Sequence, residues 1–225
     1  MDGKKYLACG TQFTESDRTL LAGYFRLADT IADLIGPHCE VVIHSLESVE
    51  KSIVKIVNGH HTGRTLGSPI TDLGLKMLRH FEQTGEVTPK SYFTETKDGS
   101  LLKSTTCILA GEHDNPIGLF CINMNLSHPF PEIIKTLMPS TGHASETVSE
   151  NFSHCSTHVI EQALTQAVTD VESDPTVSNK SKKKTITRLL FDNGIFEFKE
   201  ATAIVSEGLG ITRHAVYKYI REFKN

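Results

Sequence analysis

Apolar side chains change their spacing several times along the chain, and each change predicts an element. From Glu15 to Ile35, Leu20, Leu21, Phe25, Leu27, Ala28, Ile31, Leu34 and Ile35 recur at three- and four-residue intervals, the period of an amphipathic helix. Thr14 or Ser16 can cap it, and Gly36-Pro37 stops it. Two β-branched runs follow, Cys39 to Leu46 and Ser52 to Asn58, joined by a short polar loop and read as a hairpin. Residues 59–90 are less regular and hold one amphipathic helix, from about Leu73 to Phe81. Ser91 to Thr96 alternates like a strand, Lys97-Asp98-Gly99-Ser100 is a turn, and Leu101 to Ala110 answers it. Ile117 to Asn125 is an almost unbroken apolar run, which suits the centre of a sheet. These elements predict an α+β body: a five-stranded antiparallel sheet with helices on one face and a cavity under the looped crossover.

After Pro129 the periodicity weakens. Glu132 to Leu137 and Val148 to Val171 read as helices separated by Pro139-Ser-Thr-Gly-His143, the second serving as a dimerisation or signalling helix. Ser173 to Lys184 reads as linker. Lys184 to Asp192 then starts a small all-α tail, with Phe196 and Phe198 packing that helix on the closing pair. The expected division is a sensor-like body at 1–130, a connection at 131–179 and a terminal domain at 180–225.

Within the tail, Ala201, Val205 and Leu209 form one apolar stripe and Gly210 takes the left-handed position that ends a helix. Thr212 caps the next helix, whose buried side carries Ala215, Val216, Tyr219, Ile220 and Phe223. Its other side presents Arg213, His214, Tyr217, Lys218 and Arg221, without a carboxylate before Glu222. That pattern predicts a helix-turn-helix whose second helix enters a major groove. The competing reading is a helical hairpin that packs on its own domain or on a second subunit.

Charge separates along the same boundary. The chain carries net −4, but residues 179–225 hold 10 Lys and Arg against 5 Asp and Glu, leaving the excess of acid on the body. A basic tail on an acidic body keeps phosphate contact local. Lys182, Lys183, Lys184 and the backbone amide near Thr212 are the expected phosphate contacts, and Arg213, His214, Tyr217 and Lys218 the expected readers of base edges. One module this small needs a second copy, so a homodimer on a two-fold double-stranded DNA operator is expected.

Five scattered cysteines form no C-x-x-C pair and predict a reducing, cytoplasmic setting. Cys9 lacks the apolar run that a lipoprotein signal needs, and no stretch reads as a membrane span. His60-His61 and the His154–His158 pair lack a third ligand at recognised spacing, so no metal is expected. A catalytic set built from Cys121 or Cys107 with His44 or His113 and Asp114 would place its thiol in an apolar strand, and no enzyme motif is present. No cofactor is expected either. Polar groups do crowd the crossover and sheet: Asn58, Arg64, Ser68, Thr71 and Asp72, with Ser104, Thr105, Thr106 and Asn123 on strands. A small polar effector such as an amino acid could satisfy them. Equally, Arg64 could pair with Asp72 and the hydroxyls with backbone.

The chain resembles the YheO-like PAS-domain transcriptional regulators, the family of the D-arginine utilisation repressor. The resemblance rests on Gly36-Pro-His-Cys-Glu-Val-Val-Ile-His44, Asn58-Gly-His-His-Thr-Gly-Arg64, Gly67-Ser-Pro-Ile-Thr-Asp-Leu73, Asp98-Gly-Ser-Leu-Leu-Lys-Ser104, Ile117-Gly-Leu-Phe-Cys-Ile-Asn123 and the terminal Leu209 to Ile220. It covers about residues 17 to 128 and 180 to 223 and implies a PAS-like sensor fused to a helix-turn-helix in an oligomeric bacterial regulator. Met124-Asn125 stands where members often carry an acid, so no charge preference for a ligand carries over, and 129–179 matches no motif.

Overall fold

A computed structural model describes residues 12–85, 90–138 and 152–224. Cys9, the Pro139–His143 break and the expected helix start at Val148 lie outside the described residues. The chain divides into two compact units, Met1–Ser145 and Glu146–Asn225.

In the first unit, α1 (Glu15–Ile35) opens with a capping box: Thr14 Oγ1 accepts from Asp17 N, and the Asp17 carboxylate accepts from Thr14 N. Asp17 also accepts from Glu112 N at 2.9 Å, and this bond, with the one from Thr14, holds its carboxyl below the usual range. The strands are β1 (Cys39–Ser45), β2 (Ile53–Val57), β3 (Tyr92–Glu95), β4 (Leu101–Ala110) and β5 (Pro116–Asn125), with α2 (Asp72–Thr84) in the crossover and α3 (Phe130–Leu137) after the sheet. They form one antiparallel sheet in the order β2-β1-β5-β4-β3. The apolar run of β5 is the central strand, as its composition requires.

Helices occupy both faces of this sheet, not one. Strand alternation sends Val41, Ile43 and Phe120 to one face and Glu40, His44 and Cys121 to the other. Leu21, Ala28 and Ala32 of α1 are buried in the core with Val41, Ile43 and Phe120, and the Tyr24 ring lies 6.4 Å from that of Phe120. Gly118 permits this approach, because a Cβ there would meet the His44 carbonyl and Leu21 Cδ1. On the opposite face stand the 3-10 turn Gly59–His61 and α2, whose Gly74 sits over Leu119.

The second unit contains α4 (Ser156–Ser173), α5 (Lys182–Asp192), α6 (Ala201–Gly208) and α7 (Arg213–Phe223). Its core joins Ile160, Leu164, Ala167 and Val171 of α4 to Ile186, Leu190, Ala201, Val205, Leu209 and Val216. Expected as a connection, α4 is instead a wall of the terminal unit, with Leu164 packed where Gly208 leaves room. The physical reason is its stripe at 160, 164, 167 and 171, an apolar face that needs a partner. Ile195 and Phe196 join this core while Phe198 stays 38% exposed, so Phe198 is not the packing residue expected. His154 precedes α4, so His154 and His158 do not share a helix. Among the described residues, no helix is long and apolar enough to cross a membrane.

Candidate functional site

The terminal unit forms its DNA-facing candidate through a three-part turn. Gly210 takes φ +59°, and the Ile211 N–H returns to the Ser206 carbonyl at 2.9 Å, ending α6. Thr212 Oγ1 accepts from Ala215 N at 3.2 Å and starts α7. Val205, Leu209 and Val216 fix the two helices through buried contact. Arg213, His214, Tyr217, Lys218 and Arg221 are all exposed, and Val216 between them is fully buried. All the side chains expected to read bases therefore stand on one free face of α7.

The lysines are not equivalent. Lys182, Lys183 and Lys184 form the first turn of α5, which begins two residues earlier than expected and has no acid in that turn. Cations at a helix N-terminus oppose its dipole, a placement that favours an external anion beside them. A Cβ built on Gly210 would lie 4.0 Å from Lys183 Nζ, placing that ammonium beside the helix-turn-helix turn. Lys184, by contrast, donates to Glu222 at 2.6 Å and holds its carboxyl below the ordinary value. Lys184 therefore has an internal partner, and it neutralises the one carboxylate on α7.

In the first unit, the cleft face of the sheet carries a polar row across four strands. Glu40 is register partner to Asn123, Asn123 to Ser104, and Ser104 to Tyr92. Glu40 is fully buried. Its Oε1 accepts from Arg64 Nη2 and Asn123 Nδ2, both at 2.9 Å, and its Oε2 from Thr62 Oγ1 at 2.6 Å and Thr62 N at 3.3 Å. Arg64 Nε also donates to Thr62 Oγ1 at 3.0 Å. Arg64 therefore pairs with Glu40, not with Asp72, which forms its own exposed pair with Lys76. Of the five guanidinium N–H groups, three have no acceptor among the described residues.

A cleft of about 670 Å³ opens above this row. Six of the eight expected ligand residues line it: Arg64, Thr71, Asp72, Ser104, Thr106 and Asn123. Asn58 and Ser68 do not. Asn58 sits in the left-handed region at φ +55° and donates from Nδ2 to the Cys39 carbonyl, while Ser68 Oγ accepts from Thr65 N within the loop. Thr71 caps α2 by accepting from Gly74 N at 3.1 Å. Thr106 and the Tyr92 hydroxyl share a 2.8 Å bond, and burial raises the tyrosine pKa. Ser104 Oγ is buried and unpartnered, the one such side-chain atom among the described residues. Glu40 and Tyr92 were missed in the sequence; the signal available was a lone carboxylate inside a β-branched run, which requires a counter-charge.

Burial pushes Cys121 up, and Cys107 belongs to the other face of the sheet. His44 Nδ1 lies 2.6 Å from Ser52 Oγ, and burial, with the nearby Arg64 charge, lowers its pKa to about 4. Neutral His44 cannot act as a cation at physiological pH. Among the described residues, no group of three or more His, Cys, Asp or Glu is placed to hold a metal ion.

A PAS-like sheet with a polar cleft and a separate helix-turn-helix unit define a transcriptional regulator with two modules. Comparison with known proteins agrees. The model of the YheO-like PAS domain matches residues 14–139 and that of an HTH domain matches 159–221, starting inside α4. The chain is 41% identical to YheO of Escherichia coli strain K12 over 95% of its length and 88% of that protein's. A Haemophilus influenzae strain Rd protein is also 41% identical, over 94% and 95%. The transcriptional regulator DauR of Pseudomonas aeruginosa is 26% identical over 91% and 94%. The chain belongs to the YheO-like PAS family of helix-turn-helix regulators.

Proposed function

We propose that this regulator binds a two-fold operator in double-stranded DNA as a homodimer, in the cytoplasm, under the control of a small polar effector. The carrying observation is the face of α7, where five exposed polar or cationic side chains share one side and the nearest carboxylate is held by Lys184. Arg213 and Lys218 are the candidates for guanine, His214 and Tyr217 for neighbouring base edges, and Arg221 for the backbone. Lys182, Lys183 and the Thr212 amide lie where phosphates would position the unit. Support for an effector comes from the cleft: spare Arg64 donors and the Ser104 hydroxyl suit a carboxylate or carbonyl, as in an amino acid. Because α4 belongs to the core of the terminal unit, an effector signal passed along it would move the whole helix-turn-helix body.

Selection from a random duplex pool tests the reading. The wild type should enrich a two-fold site, and Arg213→Ala/Lys218→Ala, folded by circular dichroism, should enrich nothing. Enrichment of one site by both proteins would leave a signalling or dimerisation protein whose α7 face does not read DNA.

A further inference from the structure

Four histidines from three separate parts of the first unit meet at one end of the cleft. We infer that they form a proton latch on the cleft wall: charging His61 unfastens the segment 58–64 from the sheet. The inference concerns the chain without an effector and goes beyond the reading above.

His60-His61, adjacent in sequence, are joined by His38, which precedes β1, and His128, which follows β5. The His38 and His128 rings lie 4.4 Å apart, those of His61 and His128 6.0 Å, and those of His60 and His61 4.1 Å. His60 and His61 also line the cleft. Three sets of side-chain bonds fasten the segment that carries them. Asn58 Nδ2 donates to the Cys39 carbonyl at 2.8 Å, and Thr62 and Arg64 donate to Glu40. Between these, His61 bridges two partners: Nε2 lies 2.7 Å from the Pro37 carbonyl and Nδ1 lies 3.2 Å from Asn125 Nδ2. A Cβ at Gly59 would lie 2.6 Å from the Arg64 carbonyl, so the two ends of the segment are in contact.

These partners fix the His61 tautomer. A carbonyl only accepts, so Nε2 carries the hydrogen and Nδ1 is bare. Asn125 Oδ1 accepts from Ser127 N at 2.9 Å, which leaves its Nδ2 to donate to Nδ1. A second proton on His61 would set donor against donor there and break the bond. Turning the Asn125 amide over would break the Ser127 bond instead. Charge adds to the cost, because an imidazolium at His61 stands among three more imidazoles. At His38, burial and the adjoining His128 and His61 hold the pKa below the ordinary value, against the opposing pull of Glu132 in the first turn of α3. The other charged side chain of the segment, Arg64, is paired with Glu40 of β1. A cluster that resists protons when closed is most stable above the ordinary imidazole value and opens as the pH falls below it. Acidification therefore frees the cleft wall and leaves the strand ladders behind it intact.

Hydrogen exchange of the full chain without effector, corrected for intrinsic rates, tests the latch. One proton taken up on opening predicts that protection of the His61 and Thr62 amides falls about tenfold between pH 7.5 and 5.5. His61→Asn should remove that dependence. Asn125→Asp sets a carboxylate against Nδ1, so the cation gains a partner and protection should rise over the same interval. His44 is common to all three proteins and cannot produce a difference between them. Wild-type protection that holds at pH 5.5, an equal fall in His61→Asn, or an equal fall in Asn125→Asp overturns the inference. Where far-UV circular dichroism shows Asn125→Asp unfolded, His61→Asn decides. Flat exchange in a chain that binds an amino acid would sink the latch alone. The predicted exchange in a chain that binds none would sink the effector reading alone.

Discussion

Replacing Arg64 by Met tests the polar core of the cleft most sharply. Arg64→Met keeps much of the aliphatic length but removes the cation paired with the fully buried Glu40 carboxylate. Three of the four hydrogen bonds to that carboxylate survive, from Asn123 Nδ2, Thr62 Oγ1 and Thr62 N. Breaking a buried ion pair on one side costs about 3–5 kcal/mol, and the surviving donors place this case near the lower bound. A loss of about 3 kcal/mol lowers a urea midpoint by roughly 1.5–2 M for a domain of this size. Far-UV circular dichroism is the suitable probe, because the chain has no Trp. The helical terminal unit has a separate core and should melt unchanged, which supplies an internal control. Glu40→Gln combined with Arg64→Met should recover most of the loss, since a neutral amide needs no counter-charge. A deficit below about 1 kcal/mol, or one that Glu40→Gln does not relieve, refutes the reasoning.

Three further outcomes follow from the same geometry. His44 is neutral when folded, with a pKa near 4 against an ordinary 6.5, so the unfolded chain takes up the proton first. Stability should therefore rise with pH across the window from 4 to 6.5 and level off above it, by about 3 kcal/mol in all, and urea titrations of His44→Asn should lose that slope. Ser104→Ala removes an unpartnered buried hydroxyl, so the melting temperature should hold or rise slightly, while calorimetric affinity for any amino acid that binds the wild type should fall about tenfold. A clear drop in melting temperature would show that the hydroxyl has a partner. Lys183→Ala should reduce the slope of log affinity against log salt by about 1, and Lys184→Ala/Glu222→Gln should leave it unchanged, as read by anisotropy on a selected duplex.

Much of this architecture is legible in the chain, because its local and global preferences agree. The period of α1, the Thr14 cap, the hairpin turns and the central β5 all follow from short-range pattern. The helix-turn-helix is legible for the same reason: Gly210, Thr212 and Val216 lie within seven residues and each has one conformational role. The cleft is only half legible, because its polar groups are satisfied across the sheet. Glu40 meets partners 22, 24 and 83 residues away, and only the register of β1 against β5 brings Asn123 to it. Proximity in sequence instead suggested Asp72 for Arg64. Asn58 looked like a ligand residue because it is polar and local to the site, yet its left-handed backbone gives it a turn role. The mixed spacing of α4 hid its membership of the terminal core, which appears only when Gly208 opens a place for Leu164.

The central claim is that the exposed face of α7 reads DNA. Its most direct test is equilibrium binding of a selected duplex by wild type and by Arg213→Ala/Lys218→Ala at fixed salt. Two lost base contacts at about 1–3 kcal/mol each predict a fall in affinity of at least roughly 30-fold, with binding reduced to the level of an unrelated duplex. Equal affinity for the two proteins, with specificity intact in both, would contradict the account.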